Sequence, residues 1–379
     1  MNRQVKKVGI IGGGQLARMS ILAGYPLGFD FGVIDPSENA PARHLAQLFI
    51  KASFDDIEAQ KRLANWADVI TYDIEKIETS WLVEAEQQGL QIFPSPQILA
   101  IIQDKLVQKQ FFYKRGIPVP EIYTDSSEIK NFPVVAKARR GGYDGQGVWM
   151  VNSPEELKIL PDIPIYFEEK VDIHKELGVM IARDYWGEIV IYPIVEMIFE
   201  HRRHILKFLK APAQLDVNTL KQVREVSYEI ARVLESPGIY GIELFFDTKG
   251  RILLNEVAPR PHNLGHYSIE ACSTSQFENH IRAITGLPLG YPTLRKPAVM
   301  INLLCPPKGE GLLSFEGLEK ALRLPEVHVH LYGKWQAKPF RKVGHVTVIR
   351  DSLEEAWDMA LKVDKMIRIT VKSEQWQDV

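Results

Sequence analysis

The sequence predicts a mixed α/β protein in which a parallel sheet comes first and antiparallel sheets follow. At the N-terminus, "VGIIGGGQLARMSILAGYPLGFDFGVIDP" has the order strand, glycine turn, helix and strand, and "ADVITYDIE" and "LQIFPSP" add two further strands. Strands that alternate with helices are typical of a parallel sheet. Later in the chain, apolar strands follow one another through short turns, which is typical of antiparallel pairing.

Three parts of the chain differ in this pattern, and a length of 379 residues is long for one domain. Residues 1–100 are predicted to form a Rossmann-like domain with the parallel sheet. Residues 101–295 form a central region, in which Asp216 is predicted to cap a long helix ending at about Leu234, and Ser153 a short one. Residues 296–379 contain further strands and a late helix, and we expect a β-rich C-terminal subdomain.

Composition limits the possible functions. The hydrophobic fraction of 45% is enough for a sizeable core, and the net charge of −2 gives no electrostatic reason to expect binding to nucleic acid or a membrane surface. Only two cysteines are present, Cys272 and Cys305. We therefore expect no disulfide framework and a reducing, cytosolic setting.

The first glycine-rich turn, residues 12–17 with the sequence GGGQLA, fits the pattern G-x-G-x-x-A of dinucleotide-binding loops. Asp35 follows about 20 residues later, where such a site holds the ribose hydroxyls. A tight strand-to-helix turn that binds no dinucleotide has the same pattern. The motif alone leaves both an NAD-binding enzyme and a structural turn open.

A second glycine-rich segment, "AKARRGGYDGQGVWM" at residues 136–150, lies between two predicted antiparallel strands and contains Lys137. Backbone N–H groups can close over phosphate oxygens only where side chains do not intervene, and a lysine adds a point charge. The segment lacks the G-K-[ST] ending of a P-loop and the G-x-G-x-x-G pattern of a protein kinase. A nucleotide triphosphate site is one interpretation, and a mobile surface hairpin with basic residues is the other.

A predicted hairpin at residues 239–257 carries two carboxylates on apolar strands, Glu243 and Glu256. With "DTKG" as a four-residue turn, residue 243 is predicted to pair with residue 254, which makes the two glutamates diagonal neighbours on one face. Charged groups on such strands are costly unless they are paired with basic residues or bound to metal. Arg251, near the turn, is the only basic residue in these strands, and this favours a Mg²⁺ site.

A glycine loop, a strand lysine and a carboxylate hairpin, in that order, resemble the ATP-grasp enzymes. The stretches "GIIGGGQLARM", "AIIQDKLVQKQF", "KARRGGYDGQGVW", "NEVAPRPHNLGH" and "YGKWQAKPFRKVGH" extend the resemblance over nearly the whole chain to the 5-(carboxyamino)imidazole ribonucleotide synthetases. The resemblance implies an ATP-grasp region at 101–295 with a lid at about 118–185. It also implies a cytoplasmic, homodimeric ligase of purine synthesis that uses ATP and bicarbonate to carboxylate aminoimidazole ribonucleotide through carboxyphosphate.

The same resemblance implies an ATP site. Lys105 and Lys137 would meet the phosphates, and Glu176 would hold the ribose hydroxyls. Glu243 and Glu256 would carry Mg²⁺, with Asn255 beside them. The other implied ATP contacts are the lid loop and the segment along the adenine, namely Gly142, Tyr143, Asp144, Gly145, Gln146, Gly147, Val148, Glu168, Glu169, Lys170 and Val171.

Catalytic roles are implied for "PRPHN". Arg260 would stabilise an anion, and His262 with Asn263 would hold bicarbonate or carboxyphosphate, although the spacing alone also fits a loop histidine bonded to backbone. Phosphoryl transfer depends mainly on positioning and charge neutralisation. For the ribonucleotide, the implied contacts are Gln15, Leu16, Glu75, Tyr143, Asp144, Lys334, Arg341 and Lys342, of which the last three could equally be a solvated basic face.

Some positions depart from the family pattern. Phe199 in "EMIFEH" stands where the family usually has histidine, so no ATP contact is assigned to it, and Leu264 replaces a serine. His266 and His345 keep a Gly-His context but receive no role. Three other functions remain: a related ligase such as a formate-dependent transformylase or a biotin-carboxylase-like enzyme, an NAD-binding oxidoreductase, and a nucleotide sensor without turnover, which the two hairpin carboxylates disfavour.

Overall fold

The computed structural model describes residues 5–141, 147–200, 205–309 and 311–372. This part of the chain contains a parallel sheet, two larger antiparallel sheets and a two-stranded antiparallel ribbon. The prediction of a mixed α/β fold that begins with a parallel sheet is therefore confirmed. Over these residues, no helix combines the length and the apolar character needed to cross a bilayer.

The N-terminal domain is built on a four-stranded parallel sheet. Its elements are β1 (Lys7–Ile11), α1 (Gln15–Gly24), β2 (Asp30–Ile34), β3 (Leu48–Ile50), α2 (Ile57–Trp66), β4 (Val69–Tyr72) and α3 (Ser80–Gln87). The strand order is β3-β2-β1-β4. Helices cover both faces of the sheet, which explains why the β1 run is buried nearly throughout.

The first glycine turn lies between β1 and α1 and is tightly packed. Gly12 has φ +101°, and a Cβ at Gly14 would lie 2.6 Å from Asp73 Oδ2. The Asp35 carboxylate accepts a hydrogen bond from the N–H of Gly13 at 2.9 Å. Because Asp35 stabilises the turn itself, the geometry favours a structural turn over a dinucleotide site.

Two short helices follow the N-terminal domain. They are α4 (Pro96–Ile102) and α5 (Lys105–Tyr113). Asp104 accepts hydrogen bonds from two backbone N–H groups of the first turn of α5, so this aspartate starts a new helix. The break puts Lys105 in the first turn of α5, with Lys109 one turn later on the same face.

The lid is a separate four-stranded antiparallel sheet. Its strands are β5 (Ile122–Tyr123), β6 (Val134–Ala138), β7 (Val148–Val151) and β8 (Ile165–Glu169), in the order β5-β8-β6-β7. The predicted phosphate loop joins β6 to β7. Its residues 142–146 lie outside the described residues, so the predictions for Gly142, Tyr143, Asp144, Gly145 and Gln146 lie outside them as well.

A nine-stranded antiparallel sheet forms the centre. The elements that follow the lid in the chain include the strands of this sheet. They are β9 (Ile173–Arg183), β10 (Ile189–Ile191), β11 (Val195–Glu200), β12 (Ile205–Ala211), α6 (Val217–Leu234), β13 (Gly238–Asp247), β14 (Ile252–Ala258), α7 (Ser268–Ala271), α8 (Gln276–Thr285), β15 (Ala298–Leu304), β16 (Leu312–Glu316), α9 (Leu318–Leu322), β17 (Val327–Leu331), β18 (Lys342–Ile349), α10 (Leu353–Met366) and β19 (Arg368–Lys372).

The strand order of the central sheet is β14-β13-β9-β11-β12-β15-β18-β17, with β10 paired to β9. Strands β15, β17 and β18 come from the predicted C-terminal part of the chain, so that part continues the central sheet. Strands β16 and β19 form the separate ribbon. This continuity joins the C-terminal strands to the hairpin β13–β14 through one hydrogen-bonded sheet.

The register of the hairpin β13–β14 differs from the predicted one. Glu243 pairs directly with Glu256, and Leu244 pairs with Leu254, so Asn255 is an extra residue in a β-bulge. The prediction of diagonal neighbours was wrong for two reasons: Phe246 pairs with Ile252, so the turn is one residue longer than "DTKG", and the bulge then shifts the register by one more residue. The bulge brings the two carboxylates opposite each other on the same face of the sheet.

The start of α6 tests the capping analysis. Asp216 accepts hydrogen bonds from two N–H groups of the first turn, whereas Ser153, predicted to cap a helix, makes no side-chain cap bond in front of its short 3₁₀ turn. We expect Asp216→Ala to lower the free energy of unfolding by about 1 kcal/mol, because a helix N-terminus loses its cap. Ser153→Ala is the matched control and should be near neutral. Chemical denaturation measures both, and equal effects would contradict this assignment.

Candidate active site

Charged side chains and one asparagine from three parts of the fold meet in one cluster. Helix α5, the lid strands β6 and β8, and the hairpin β13–β14 supply them. The members are Lys105, Lys109, Lys137, Glu168, Glu243, Asn255 and Glu256. The structure therefore brings together the residues predicted for phosphate and metal, which are far apart in sequence.

Lys105 forms an ion pair with Glu256. Its Nζ lies 2.8 Å from Glu256 Oε2. Burial raises the pKa of the Glu256 carboxyl, but the charge and hydrogen bond of Lys105, together with attraction from His262 and Lys137, outweigh burial and bring this pKa down to about 2. Glu256 is thus ionised at neutral pH, and a lysine predicted to bind phosphate is in contact with a carboxylate predicted to bind metal.

Glu243 has the opposite electrostatic environment. Burial, followed by repulsion from Glu256 and Glu176, raises the pKa of Glu243 to about 8. Its Oε2 accepts a hydrogen bond from the Asn255 side-chain amide at 3.4 Å. Negative charge on this carboxyl is therefore costly unless a cation arrives between the two facing glutamates.

The donor set suits Mg²⁺ only in part. The described residues hold no group of three or more His, Cys, Asp and Glu side chains that would bind a metal on their own. Two facing carboxylates supply a minority of an octahedral shell, which is typical of Mg²⁺ sites completed by nucleotide phosphates and water. The raised pKa of Glu243 fits this arrangement, because a bound cation would stabilise its ionised form.

Glu168 is clamped between two lysines. Lys137 Nζ lies 2.6 Å from Glu168 Oε2, and Lys109 Nζ lies 3.0 Å from Glu168 Oε1. Burial opposes ionisation of Glu168, but the two ammonium groups bring its pKa to about 2, while burial lowers the pKa of Lys109 to about 8. With these pKa values, Glu168 and most of Lys109 are charged at neutral pH. Lys137 also donates to Asn255 Oδ1 at 3.1 Å.

Sequence reasoning did not identify Lys109 or its neighbour Gln108. Both side chains bond to the free edge of β14: Gln108 accepts from the N–H of Val257 at 2.9 Å, and Lys109 donates to the carbonyl of Leu254 at 2.7 Å. The one signal in the sequence was the four-residue spacing of Lys109 from Lys105 on a predicted helix. These two bonds attach α5 on either side of the bulge.

Arg260 links the loop after β14 to the N-terminal domain. Its Nη2 lies 3.0 Å from Glu75 Oε1, at the end of the N-terminal sheet. Its Nε is buried and has no hydrogen-bond partner among the described residues. An arginine with one unsatisfied donor is suited to bind an anion, as the sequence analysis implied.

His262 is held through its backbone. Its N–H donates to Gln276 Oε1 at 2.9 Å, and Gln276 Nε2 donates to its carbonyl at 2.7 Å. The imidazole packs against Gly241, where a Cβ would lie 2.6 Å from the His262 Cβ, so only glycine fits. Burial, followed by repulsion from Arg260, lowers the pKa of His262 to about 3, and its Nδ1 has no described partner.

Asn263 is engaged within the protein. Its amide nitrogen donates to Asn302 Oδ1 at 2.9 Å, and its oxygen accepts from Asn302 Nδ2 at 2.8 Å. This reciprocal pair ties the "PRPHN" loop to β15. The structure therefore gives Asn263 a positioning contact in addition to the predicted role with bicarbonate.

The C-terminal basic cluster meets the first glycine turn. Lys334 Nζ lies 2.6 Å from Gln15 Oε1 and 5.4 Å from the centroid of the Tyr332 ring. Burial, followed by repulsion from Arg341, lowers the pKa of Lys334 to about 8. Leu16 is buried in the same cluster as Tyr332. These contacts bring together predicted ribonucleotide residues from the two ends of the chain.

Partial burial distinguishes this cluster from a solvated basic face. Arg341 and Lys342, which begins β18, are both partly buried, and burial lowers the pKa of Arg341. Asp73 lies close to both Lys334 and Arg260, although burial still raises its pKa. The ribonucleotide cluster and Arg260 are therefore neighbours.

Other predicted ATP residues lie around the edge of the cluster. Glu169 forms an ion pair with Arg251 at 3.1 Å, and Lys170 forms one with Asp172 at the surface. Arg251 also pairs with Asp247 at the end of β13, at 2.6 Å, so its described ion pairs are with Glu169 and Asp247 and not with Glu243 or Glu256. The remaining positions are Gly147 before β7, Val148 at its start, buried Val171, and Glu176 on β9 opposite Phe245.

The two residues that depart from the family pattern, Phe199 and Leu264, pack in the hydrophobic core. Phe199 lies at an irregularity of β11 and packs against the main core. Leu264 is fully buried in the same core. The unassigned His266 and His345 are also buried, with ring centroids 4.7 Å apart, and burial lowers the pKa of both. Their contacts favour a packing role.

Models of three protein domains match the chain. They are a ribonucleotide synthetase preATP-grasp domain at residues 5–103, an ATP-grasp domain at residues 110–277, and a phosphoribosylaminoimidazole carboxylase C-terminal domain at residues 298–358. The three matches follow one another along the chain.

Whole-chain relatives carry related names. The N5-carboxyaminoimidazole ribonucleotide synthase of Synechococcus elongatus is 37% identical over 91% of this chain and 89% of that protein. The phosphoribosylaminoimidazole carboxylase of Ogataea methanolica is 38% identical over 92% of this chain and 67% of that protein. The chain spans about two thirds of the length of this and other fungal and plant carboxylases.

Solved structures agree with these relatives. The N5-carboxyaminoimidazole ribonucleotide synthetase of Thermotoga maritima is 44% identical, with a TM-score of 0.90 over 97% of this chain and 100% of that chain. An Aspergillus clavatus synthase solved with ADP and aminoimidazole ribonucleotide is 32% identical, with a TM-score of 0.86 over 96% and 98%. Sequence and fold therefore agree over nearly the full length, and the chain belongs to the family of N5-carboxyaminoimidazole ribonucleotide synthetases.

Proposed function

We propose that the protein is an ATP-dependent carbon–nitrogen ligase that carboxylates the exocyclic amine of 5-aminoimidazole ribonucleotide. Bicarbonate is the carbon source, and the products are N5-carboxyaminoimidazole ribonucleotide, ADP and phosphate. The observation that carries the proposal is the arrangement of two separate clusters with basic side chains near Arg260, one containing Lys105 and Lys137 and the other Lys334 and Arg341. The Aspergillus clavatus relative was solved with ADP and aminoimidazole ribonucleotide, which supports it.

In the ATP cluster, Glu243 and Glu256 would hold Mg²⁺, which supplies charge neutralisation for the phosphates. Lys105 now pairs with Glu256 and would be released to a phosphate oxygen when the metal binds. Lys137, held by Glu168 and Asn255, has a fixed position from which to bind a phosphate. Lys137 would thus be in place before the nucleotide arrives, which reduces the reorganisation needed for phosphoryl transfer, whereas Lys105 would first leave Glu256.

The chemistry balances without a redox step. A bicarbonate oxygen attacks the γ-phosphorus of ATP, ADP leaves, and carboxyphosphate forms. Carboxyphosphate releases phosphate and CO₂, and the amine adds to CO₂ with loss of a proton. Arg260 supplies a positive charge for the anionic species, and neutral His262 supplies hydrogen bonding without charge, in keeping with its low pKa.

In the ribonucleotide cluster, Lys334, Arg341 and Lys342 would bind the ribose phosphate, with Gln15 and Leu16 completing the pocket. Glu75 is bound to Arg260, so an amine that approaches this glutamate lies next to the proposed carboxyphosphate site. Tyr143 and Asp144 remain predicted contacts from the lid loop.

Two further proposals concern the cellular compartment and the oligomeric state. Near-neutral charge and small-molecule substrates fit a cytoplasmic enzyme without nucleic-acid or membrane partners, and we propose a homodimer. A formate-dependent transformylase is the closest different function, and its substrate would be glycinamide ribonucleotide. An NAD-binding oxidoreductase is disfavoured because Asp35 is bound to Gly13.

The first prediction concerns turnover. ATP should be cleaved to ADP in a Mg²⁺-dependent reaction that aminoimidazole ribonucleotide stimulates in bicarbonate buffer. Phosphate release with and without the ribonucleotide measures this, with glycinamide ribonucleotide plus formate as the control. Formation of AMP, or stronger stimulation by the control pair, would overturn the proposal.

The second prediction concerns the hairpin. Glu256→Gln should lower kcat by on the order of 100-fold, because an amide cannot replace the negative charge that holds the metal. Glu225→Gln, at an exposed position of α6, is the control for loss of a glutamate. Steady-state rates at several Mg²⁺ concentrations test the prediction, and unchanged turnover with an unchanged Mg²⁺ dependence would refute the metal role.

The third prediction separates the two anion clusters. Arg341→Ala should raise the KM for aminoimidazole ribonucleotide by roughly 10- to 150-fold, because a charged phosphate contact contributes about 1.5–3 kcal/mol. Arg341→Lys should also be impaired, since lysine cannot form a bidentate contact. Lys137→Ala should instead weaken ATP binding.

Lys338→Ala, an exposed position in the same segment, is the matched control for Arg341. Titration of each substrate in turn gives both KM values, and circular dichroism shows whether each variant is folded. If Arg341→Ala left the KM for the ribonucleotide at the value of the control, the basic cluster would have to be reinterpreted as a solvated face.

A further inference from the structure

A buried lysine lies on the far side of Glu168 from the proposed phosphate lysine. The side chain of Lys109 is 2% exposed, compared with 11% for Lys137. Its Nζ bonds to Glu168 and to the carbonyl oxygen of Leu254. These contacts occupy Lys109 within the protein, so it can influence a bound nucleotide only through its neighbours.

The charges in this group can be counted. Glu168 contributes one negative charge, and Lys109 and Lys137 contribute one positive charge each, so the group carries one net positive charge. Tyr166 donates its hydroxyl to Glu168 Oε1 at 2.8 Å and adds no charge. With Lys109 present, the single negative charge of Glu168 is balanced by Lys109, so the positive charge of Lys137 remains to attract a phosphate. Without Lys109, Glu168 would cancel it.

Lys109 also supports the metal hairpin. Leu254 comes directly before Asn255, the extra residue of the bulge, and β14 is an edge strand of the central sheet. The bond from Lys109 to Leu254 satisfies a carbonyl that has no strand partner on that side. A single ammonium group therefore links the lid strand β8 to the hairpin.

We propose that Lys109 is a positioning residue for nucleotide binding: it neutralises Glu168, so that Lys137 keeps its charge for the phosphates, and it fixes the hairpin beside Asn255. The proposal rests on the proposed function in assigning Lys137 to the nucleotide. It adds a residue that acts on the nucleotide through Glu168 without touching it.

Removal of Lys109 has a defined electrostatic consequence. In Lys109→Met, the buried carboxylate of Glu168 would retain one cation, Lys137, and the resulting ion pair would compete with the phosphates. The double variant Lys109→Met/Glu168→Gln removes one charge of each sign and restores one net positive charge to the group. A packing role for Lys109 predicts no such restoration, because both variants lack the lysine.

The experiment measures the affinity for MgADP by isothermal titration calorimetry, without any need for turnover. We expect Lys109→Met to bind MgADP about 10-fold more weakly than the unmodified protein. The double variant should recover most of this loss. Lys114→Met, at an exposed position just after α5, is the matched control and should bind normally. The KM for aminoimidazole ribonucleotide should stay the same in all three variants.

The possible outcomes are distinct. Failure of the unmodified protein to bind MgADP would contradict the proposed function itself. Normal binding by Lys109→Met, or a folded double variant as weak as Lys109→Met, would contradict the role of Lys109 alone. If Lys109→Met does not fold by circular dichroism, the double variant decides: near-normal affinity supports the proposal, and a loss of about 10-fold or more overturns it.

Discussion

The direct pairing of Glu243 with Glu256 is the constraint on which the rest of the site depends. Two partly buried carboxylates on opposite strands repel each other, and the repulsion contributes to the raised pKa of Glu243. A core hairpin with this feature is unfavourable for folding unless cations compensate it. Lys105 compensates one carboxylate in the structure, and we propose that a cation arriving with the nucleotide compensates the other.

Ion pairs between buried side chains also connect the lid, helix α5 and the hairpin. Glu168 on the lid forms ion pairs with Lys109 on α5 and Lys137 on β6, and Lys109 also donates a hydrogen bond to the carbonyl of Leu254 in the hairpin. Breaking a buried ion pair by removing one partner typically costs about 3–5 kcal/mol. The lid strands, helix α5 and the hairpin therefore hold one another in position. Phosphoryl transfer depends mainly on positioning and charge neutralisation, and these fixed charges are suited to both.

Local signals made much of the fold predictable. The alternation of strands and helices gave the parallel sheet, and Asp216 gave the start of α6 because capping depends on neighbouring residues alone. The bulge at Asn255 could not be predicted, because it is accompanied by contacts of Gln108 and Lys109, more than a hundred residues away. Lys109 itself has the local pattern of an ordinary helix lysine, and only the tertiary structure reveals its burial.

The most direct test of the account is a crystal structure with ADP and Mn²⁺ in place of Mg²⁺, in which anomalous scattering locates the metal. The account predicts Mn²⁺ between the carboxylates of Glu243 and Glu256, with Lys105 moved from Glu256 to a phosphate oxygen and the pair between Lys137 and Glu168 retained. Nucleotide bound with no metal at this hairpin, and with the Lys105–Glu256 pair intact, would contradict it.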